Sequence, residues 1–98
     1  MGIEATLSSD SKELIIKVSG EFNFGMDKEF RASYIEVVLV DYVIDMRKVQ
    51  YMDSSALGML INMRKTLGND VKISIRNVSA KVKHLLTISR INKKFTIE

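Results

Sequence analysis

The chain has 98 residues, 46% of them hydrophobic, and a net charge of +3, which suits one domain with a modest core and excludes a disordered chain. It has no cysteine and one histidine, His84, so disulfides and thiolate metal sites are excluded and a His-rich metal site is not expected. No apolar run approaches the ~18 residues of a membrane span, and the first residues lack the basic start and apolar run of a signal peptide; a cytoplasmic, monomeric single domain over 1–98, without cofactor, is the expectation.

In chain order, a short strand over Ile3 to Leu7 is followed by a Ser8-Ser9-Asp10-Ser11 turn and a β-branched strand over Glu13 to Ser19. Gly20 to Gly25 breaks that pattern. Phe30, Tyr34 and Val37 then recur at helical spacing and predict a helix from Asp27 to Val37. Tyr42 to Met46 is a short apolar run of the buried-strand type. A turn follows, and Asp53-Ser54-Ser55 opens a helix with Ser54 as the expected N-cap. Gly68 ends that helix after Leu67. Val71 to Arg76 alternates with period two and predicts a strand, Ser79 caps a last helix, and Phe95 to Ile97 closes the sheet. The order β-β-α-β-α-β-α-β implies an α/β fold, a mixed sheet of four to five strands with helices packed on it.

The informative stretch runs from Asp45 to Leu60. Ser55 falls in a first helical turn, where backbone N–H groups lack partners and the helix dipole places about half a positive charge. A phosphate there is tolerated by the helix and stays exposed. Further along, Leu57, Leu60, Ile61 and Arg64 share a face, and the apolar three are expected to meet the sheet. Met59 and Met63 continue the line from Ser55 at four-residue steps, with Asn62 beside them. This line is either a docking stripe, for which methionine's adaptable side chain is suited, or a flank of the core.

Asp53-Ser54-Ser55-Ala56-Leu57-Gly58 resembles the Asp-Ser-Ser-Gly-Leu-Gly signature of the STAS family, specifically the stand-alone bacterial anti-sigma factor antagonists, with Asp45 as the acidic residue that ends the preceding strand. Gly20-Glu21-Phe22-Asn23 resembles that family's Gly-Glu-Leu-Asp turn, and length and element order agree over nearly the whole chain. The resemblance implies a STAS-like fold and a phosphorylation switch whose phosphoacceptor is Ser55. It implies two enzymes as partners: an anti-sigma factor that is also a serine kinase of the histidine-kinase-like ATPase fold, and a metal-dependent serine phosphatase. The unphosphorylated form would bind the anti-sigma factor and free a sigma factor. The expected contact surface comprises Asn23, Asp53, Ser54, Ser55, Ala56 and Gly58, extended by Met59, Asn62 and Met63. Ala56 stands for the usual Gly, and Asn23 for an Asp that the family often carries near the phosphoacceptor. Phe22 to Gly25 with Phe30, Arg31 and Tyr34 also resembles a subgroup tied to two-component response regulators, which points to a phosphatase fused to such a regulator.

Three other readings compete. A constitutive STAS subunit of a transport or signalling assembly would use Ser55 only as a helix-start residue. A small nucleic-acid-binding protein would use the basic end of the chain: residues 64–98 hold 9 Lys/Arg against 2 Asp/Glu, whereas residues 1–63 hold 6 against 10. No aromatic residues interleave with those cations to stack on bases, so neither nucleic acid nor membrane is an expected partner. An enzyme is disfavoured, because the single histidine lies on another helix and neither a Gly-x-Ser-x-Gly elbow nor a Gly-x-x-x-x-Gly-Lys loop is present.

Overall fold

Alternation along Glu13–Phe22 puts Leu14, Ile16 and Val18 on one side of a strand, and this strand anchors the sheet. The computed structural model describes residues 2–36 and 40–98. Its elements are β1 (Ile3–Leu7), β2 (Glu13–Phe22), α1 (Asp27–Tyr34), β3 (Asp41–Met52), α2 (Ser54–Leu67), β4 (Ile73–Arg76), α3 (Ala80–Ile88) and β5 (Thr96–Ile97). Short 3-10 turns at Phe24–Met26 and Ile91–Lys93 precede α1 and β5. The sheet has the order β1-β2-β3-β4-β5, with β1 antiparallel to β2 and the other pairs parallel. The expected mixed α/β architecture and element order are therefore observed.

The hairpin between β1 and β2 turns where the Ser/Asp cluster predicts. The Ser8 hydroxyl donates to Asp10 Oδ1 at 2.6 Å, Lys12 N donates to the same oxygen at 3.0 Å, and Ser11 takes the left-handed conformation at φ 59. Parallel register aligns Ile16, Ile44 and Ile75 on the helix-facing side. All three helices feed one cluster with these strands: Phe30 and Tyr34 from α1, Met59, Leu60 and Met63 from α2, Val82 and Leu86 from α3. Phe22, Phe30 and Tyr34 stack edge to face in series, with centroids 5.3 and 5.5 Å apart. The reverse side carries Lys17, Asp45 and Arg76 in one row.

Two segments expected as turns are strand. β2 continues past Ser19 to Phe22, and β3 continues past Met46 to Met52. Their extensions pair with each other, through register irregularities between Lys17 and Ser19 and between Gly20 and Glu21. Gly20, at φ +84, supplies the backbone conformation that one irregularity requires. Periodicity fails here because the irregularity interrupts the two-residue alternation. β4 starts at Ile73 rather than Val71, and β5 at Thr96 rather than Phe95. Val37, the third residue in the helical spacing of α1, lies outside the described residues.

Arg64 locks the C-terminal part of the fold. It lies on the buried face of α2, at 8% exposure, and its Nη1 donates to the carbonyls of Gly68 at 3.0 Å and Val71 at 2.8 Å. Nη2 donates to the Lys94 carbonyl, and the guanidinium sits 5.3 Å from the Phe95 ring centroid. One side chain thus joins the end of α2, the entry to β4 and the entry to β5. Burial draws its pKa below the ordinary arginine value, which still leaves it charged at neutral pH.

Candidate functional site

A single carboxylate organises the first turn of α2. Asp53 has extended backbone, and its Oδ1 accepts from Ser55 N at 3.0 Å and Ala56 N at 3.2 Å. This is N-cap geometry, so the cap is Asp53 and not Ser54, which is the first helical residue and exposed. An anionic oxygen that reaches two free N–H groups also complements the helix dipole, an advantage a serine hydroxyl lacks.

The same Oδ1 accepts from the Ser55 hydroxyl at 2.5 Å. Ser55 is half-buried, its proton aimed at Asp53 and its oxygen lone pairs left for other contacts. This hydroxyl bond is the largest influence on the Asp53 carboxyl. With the N–H groups of Ala56 and Ser55 it outweighs partial desolvation and holds the carboxyl below its ordinary value of 3.8.

The loop carrying Asn23 lies alongside. Phe22 O accepts from Asp53 N at 3.4 Å, which ties the ends of the parallel strands β2 and β3 together. The next residue, Asn23, turns its Oδ1 to Gly25 N at 2.9 Å and caps the 3-10 turn at Phe24–Met26, which packs against α2. Phe24 on that turn is 69% exposed. Asn23 thus lies on a loop adjoining Asp53 and the first turn of α2, with Ser54 and Ser55, at one end of the sheet.

The faces of α2 differ from the expected division. Ala56, Met59, Leu60, Met63 and Arg64 are buried, the i, i+3, i+4, i+7, i+8 stripe of a helix lying on a sheet. Met59 and Met63 are 4% and 0% exposed, so they belong to the core and are not a docking stripe; Ala56, at 0%, likewise offers no side chain to a partner. Ile61, expected to meet the sheet, is exposed instead. The outward face consists of Ser54, Gly58, Ile61, Asn62, Lys65 and Thr66. A Cβ built at Gly58 meets nothing within 4 Å. No packing inside the molecule requires glycine there, although glycine within a helix costs about 1 kcal/mol against alanine.

Asp45 does not join this site. It lies within β3, where its Oδ1 accepts from Arg47 N at 2.9 Å and Asn77 Nδ2 at 3.0 Å. Desolvation pushes its pKa up, but these bonds with the charges of Arg47 and Lys17 prevail and hold it below the ordinary value. The expected strand-ending carboxylate is a brace between the middle of β3 and the end of β4. Asn77, left-handed at φ 61, is its other half. The only sequence signal for it is an Asn that directly follows a strand. His84 is exposed on α3, away from α2 in the chain. Among the described residues no cluster of three His, Cys, Asp or Glu side chains suited to a metal occurs, and no helix is long and apolar enough to cross a membrane.

Comparison with known proteins supplies a context for this arrangement. The model of the STAS domain family matches residues 4–98. A STAS-domain containing protein of Pseudomonas aeruginosa (strain UCBPP-PA14) is 41% identical over 99% of both chains. An anti-sigma factor antagonist from Mycobacterium paratuberculosis superposes with a TM-score of 0.79 at 17% identity, over 98% of this chain and 85% of the other. The Bacillus cell fate determinant SpoIIAA in its phosphorylated form superposes with a TM-score of 0.72 at 17% identity, over 99% of this chain and 91% of the other. At those identities the two solved structures show a shared fold.

Proposed function

The chain belongs to the STAS domain family, and from that membership and the form of its α2 face we propose that it is an anti-sigma factor antagonist whose docking to a partner is switched by phosphorylation of Ser55. The observation that carries the reading is the outward patch at the start of α2. It combines a hydroxyl in the first helical turn with a bare glycine one turn on and the exposed side chains of Ile61 and Asn62. A flat helix surface, uncharged from Ser54 to Asn62, suits close approach by another protein, and a phosphate of −1.5 to −2 charges at its rim opposes that approach.

The chemistry of the switch follows from the Asp53–Ser55 bond. A kinase brings ATP; the Ser55 oxygen bonds to the γ-phosphorus, the bond to ADP breaks, and the hydroxyl proton leaves. Asp53 orients the hydroxyl before transfer. Afterwards the phosphoserine oxygen has no proton to donate, and a phosphate stands beside a carboxylate, so the local cap must rearrange. Docking is lost at the surface without refolding of the sheet. In this reading the kinase is the anti-sigma factor itself, of the histidine-kinase-like ATPase fold, and a metal-dependent serine phosphatase reverses the modification. Asn23 beside the acceptor supplies an uncharged oxygen already engaged with Gly25 N.

Motif position favours Ser55 as acceptor, whereas Ser54 is the more exposed hydroxyl, so both are mapped in the test. Affinity capture from the native cell uses wild type, Ser55→Ala and Ser55→Asp as baits, with phosphosite mapping on the wild type. The switch predicts phosphate on Ser55 and a kinase-fold partner kept by the alanine bait and lost by the aspartate bait. Identical partners on all three baits, with no phosphate, would make the protein a constitutive binding subunit in which Ser55 and Asp53 only start a helix.

A further inference from the structure

A second surface lies beyond the Ser55 patch, between the end of β3 and α3. It is a groove of about 310 Å³, walled by Tyr51 and Met52 on one side and Val82, Leu85 and Ile88 on the other, with Lys81 at its rim. Its apolar lining is open to solvent: Tyr51 is 51% exposed and Ile88 63%. A concave, mostly apolar lining with a few polar groups is the usual form of a binding site. The spacing of Val82, Leu85 and Ile88 forms a row along α3, the counterpart of the i, i+3 anchors that one helix lays along another.

Charge identifies the occupant. α3 carries Lys81 and Lys83 and no acidic residue, and none occurs in the sequence between Asp70 and Glu98. The lining of the groove itself holds Lys81 and no acidic residue. A second copy of the chain would set these cations against one another, which opposes self-association through this face. The concave, apolar form suits an inserted side chain better than the flat surface of a bilayer. We propose that the groove between β3 and α3 docks an amphipathic helical segment of another protein, apolar on the side that enters between Tyr51 and Ile88 and acidic on its flanks. Met52, in the groove wall, directly precedes Asp53 in the chain, and Ser55 itself is not part of the lining.

The test is an amide-resolved NMR titration of ¹⁵N-labelled protein with a synthetic helical peptide of about 18 residues, long enough to hold helical structure. The peptide carries Leu at i, i+3, i+4 and i+7 and Glu elsewhere. The proposal requires shifts confined to the Tyr51–Met52 and Lys81–Ile88 amides. Affinity should fall about tenfold in Ile88→Ser and in Lys81→Glu, fall as salt rises, and be abolished when the peptide's Leu residues become Ser. Both substitutions are at exposed positions, and retained spectral dispersion certifies their fold. Absent or scattered shifts, equal binding of a Lys-for-Glu peptide, or an unchanged Kd in Ile88→Ser would overturn it. Stronger perturbation of the same amides by phosphatidylglycerol vesicles or by an oligonucleotide would do so as well, and would reassign the face to a membrane or to nucleic acid. Ser55→Asp should bind the peptide as wild type does, so failure of the groove and failure of the Ser55 switch are separate results.

Discussion

The Ser55 hydroxyl and the Asp53 carboxylate meet at 2.5 Å, and the same carboxylate oxygen caps the helix whose first turn holds Ser55. The residue proposed to carry the signal and the residue that starts α2 are therefore parts of one hydrogen-bond unit. Asp53→Ala removes the cap together with the hydroxyl's partner. Loss of an N-cap costs about 1 kcal/mol, read as a lower urea midpoint with unchanged slope. Ser55→Ala keeps both backbone bonds and should cost less than Asp53→Ala in the same measurement.

The pH dependence of that unit has a definite sign. Asp53 is held below its ordinary value of 3.8 in the folded state. Its contribution to stability is therefore complete above the unfolded value and is lost as pH falls through the lower folded value. Asp10 and Asp45 are depressed too, so wild type alone does not isolate Asp53. The difference in melting temperature between wild type and Asp53→Asn should be constant near neutrality and shrink on acidification below about pH 4.

Gly58 separates stability from binding. Nothing lies within 4 Å of a Cβ placed there, so Gly58→Ala should raise stability by up to about 1 kcal/mol. A bulkier Gly58→Gln should fold equally well and weaken capture of the partner kept by Ser55→Ala. Unimpaired capture by Gly58→Gln would remove the flat face of α2 from the interface.

Met63 and Asn62 make the complementary pair. Met63 is fully buried, and Met63→Ala should cost about 2–5 kcal/mol, typical of a large-to-small core change. Asn62→Ala, one residue away on the exposed face, should stay within about 0.5 kcal/mol of wild type. A chemical denaturation series on the two variants reads both values.

Arg64 supplies a stringent test of geometry over charge. Its guanidinium serves three carbonyls at once. A lysine keeps the charge but lacks the planar fork. Arg64→Lys should therefore lose about 1.5–3 kcal/mol, the scale of a bond from a charged donor. Hydrogen exchange should rise first at β4 and β5, the elements this side chain ties to α2.

How far the sequence foretold this depends on the length of chain over which a signal must act. Local signals held: the Ser/Asp turn at 8–11, the Ser79 cap, whose hydroxyl accepts from Val82 N at 3.2 Å, and the Gly68 stop at φ +86. Each depends on side-chain and backbone groups a few residues apart. The strand extensions to Phe22 and Met52 were not legible, because their pairing is made between segments some thirty residues apart and passes through register shifts. The Ser55 turn was found, but the cap falls to Asp53 and not to Ser54, since both residue types cap helices and only the backbone decides which one does. The direction of Met59 and Met63 was open because α2 has apolar residues on more than one side. Packing resolves it by turning the 56–59–60–63–64 stripe to the sheet and leaving Ile61 out.

The spatial order of the sheet repeats the order of the chain, so each new strand is laid against the one made just before it. A ribosome releasing this polypeptide from its N-terminus delivers the β1–β2 hairpin first, and every later strand then finds a template already in place. No strand has to wait for a neighbour that is still unmade. Truncation from the C-terminal end would thus remove strands from one edge without opening the middle, while loss of β3 would divide the sheet in two.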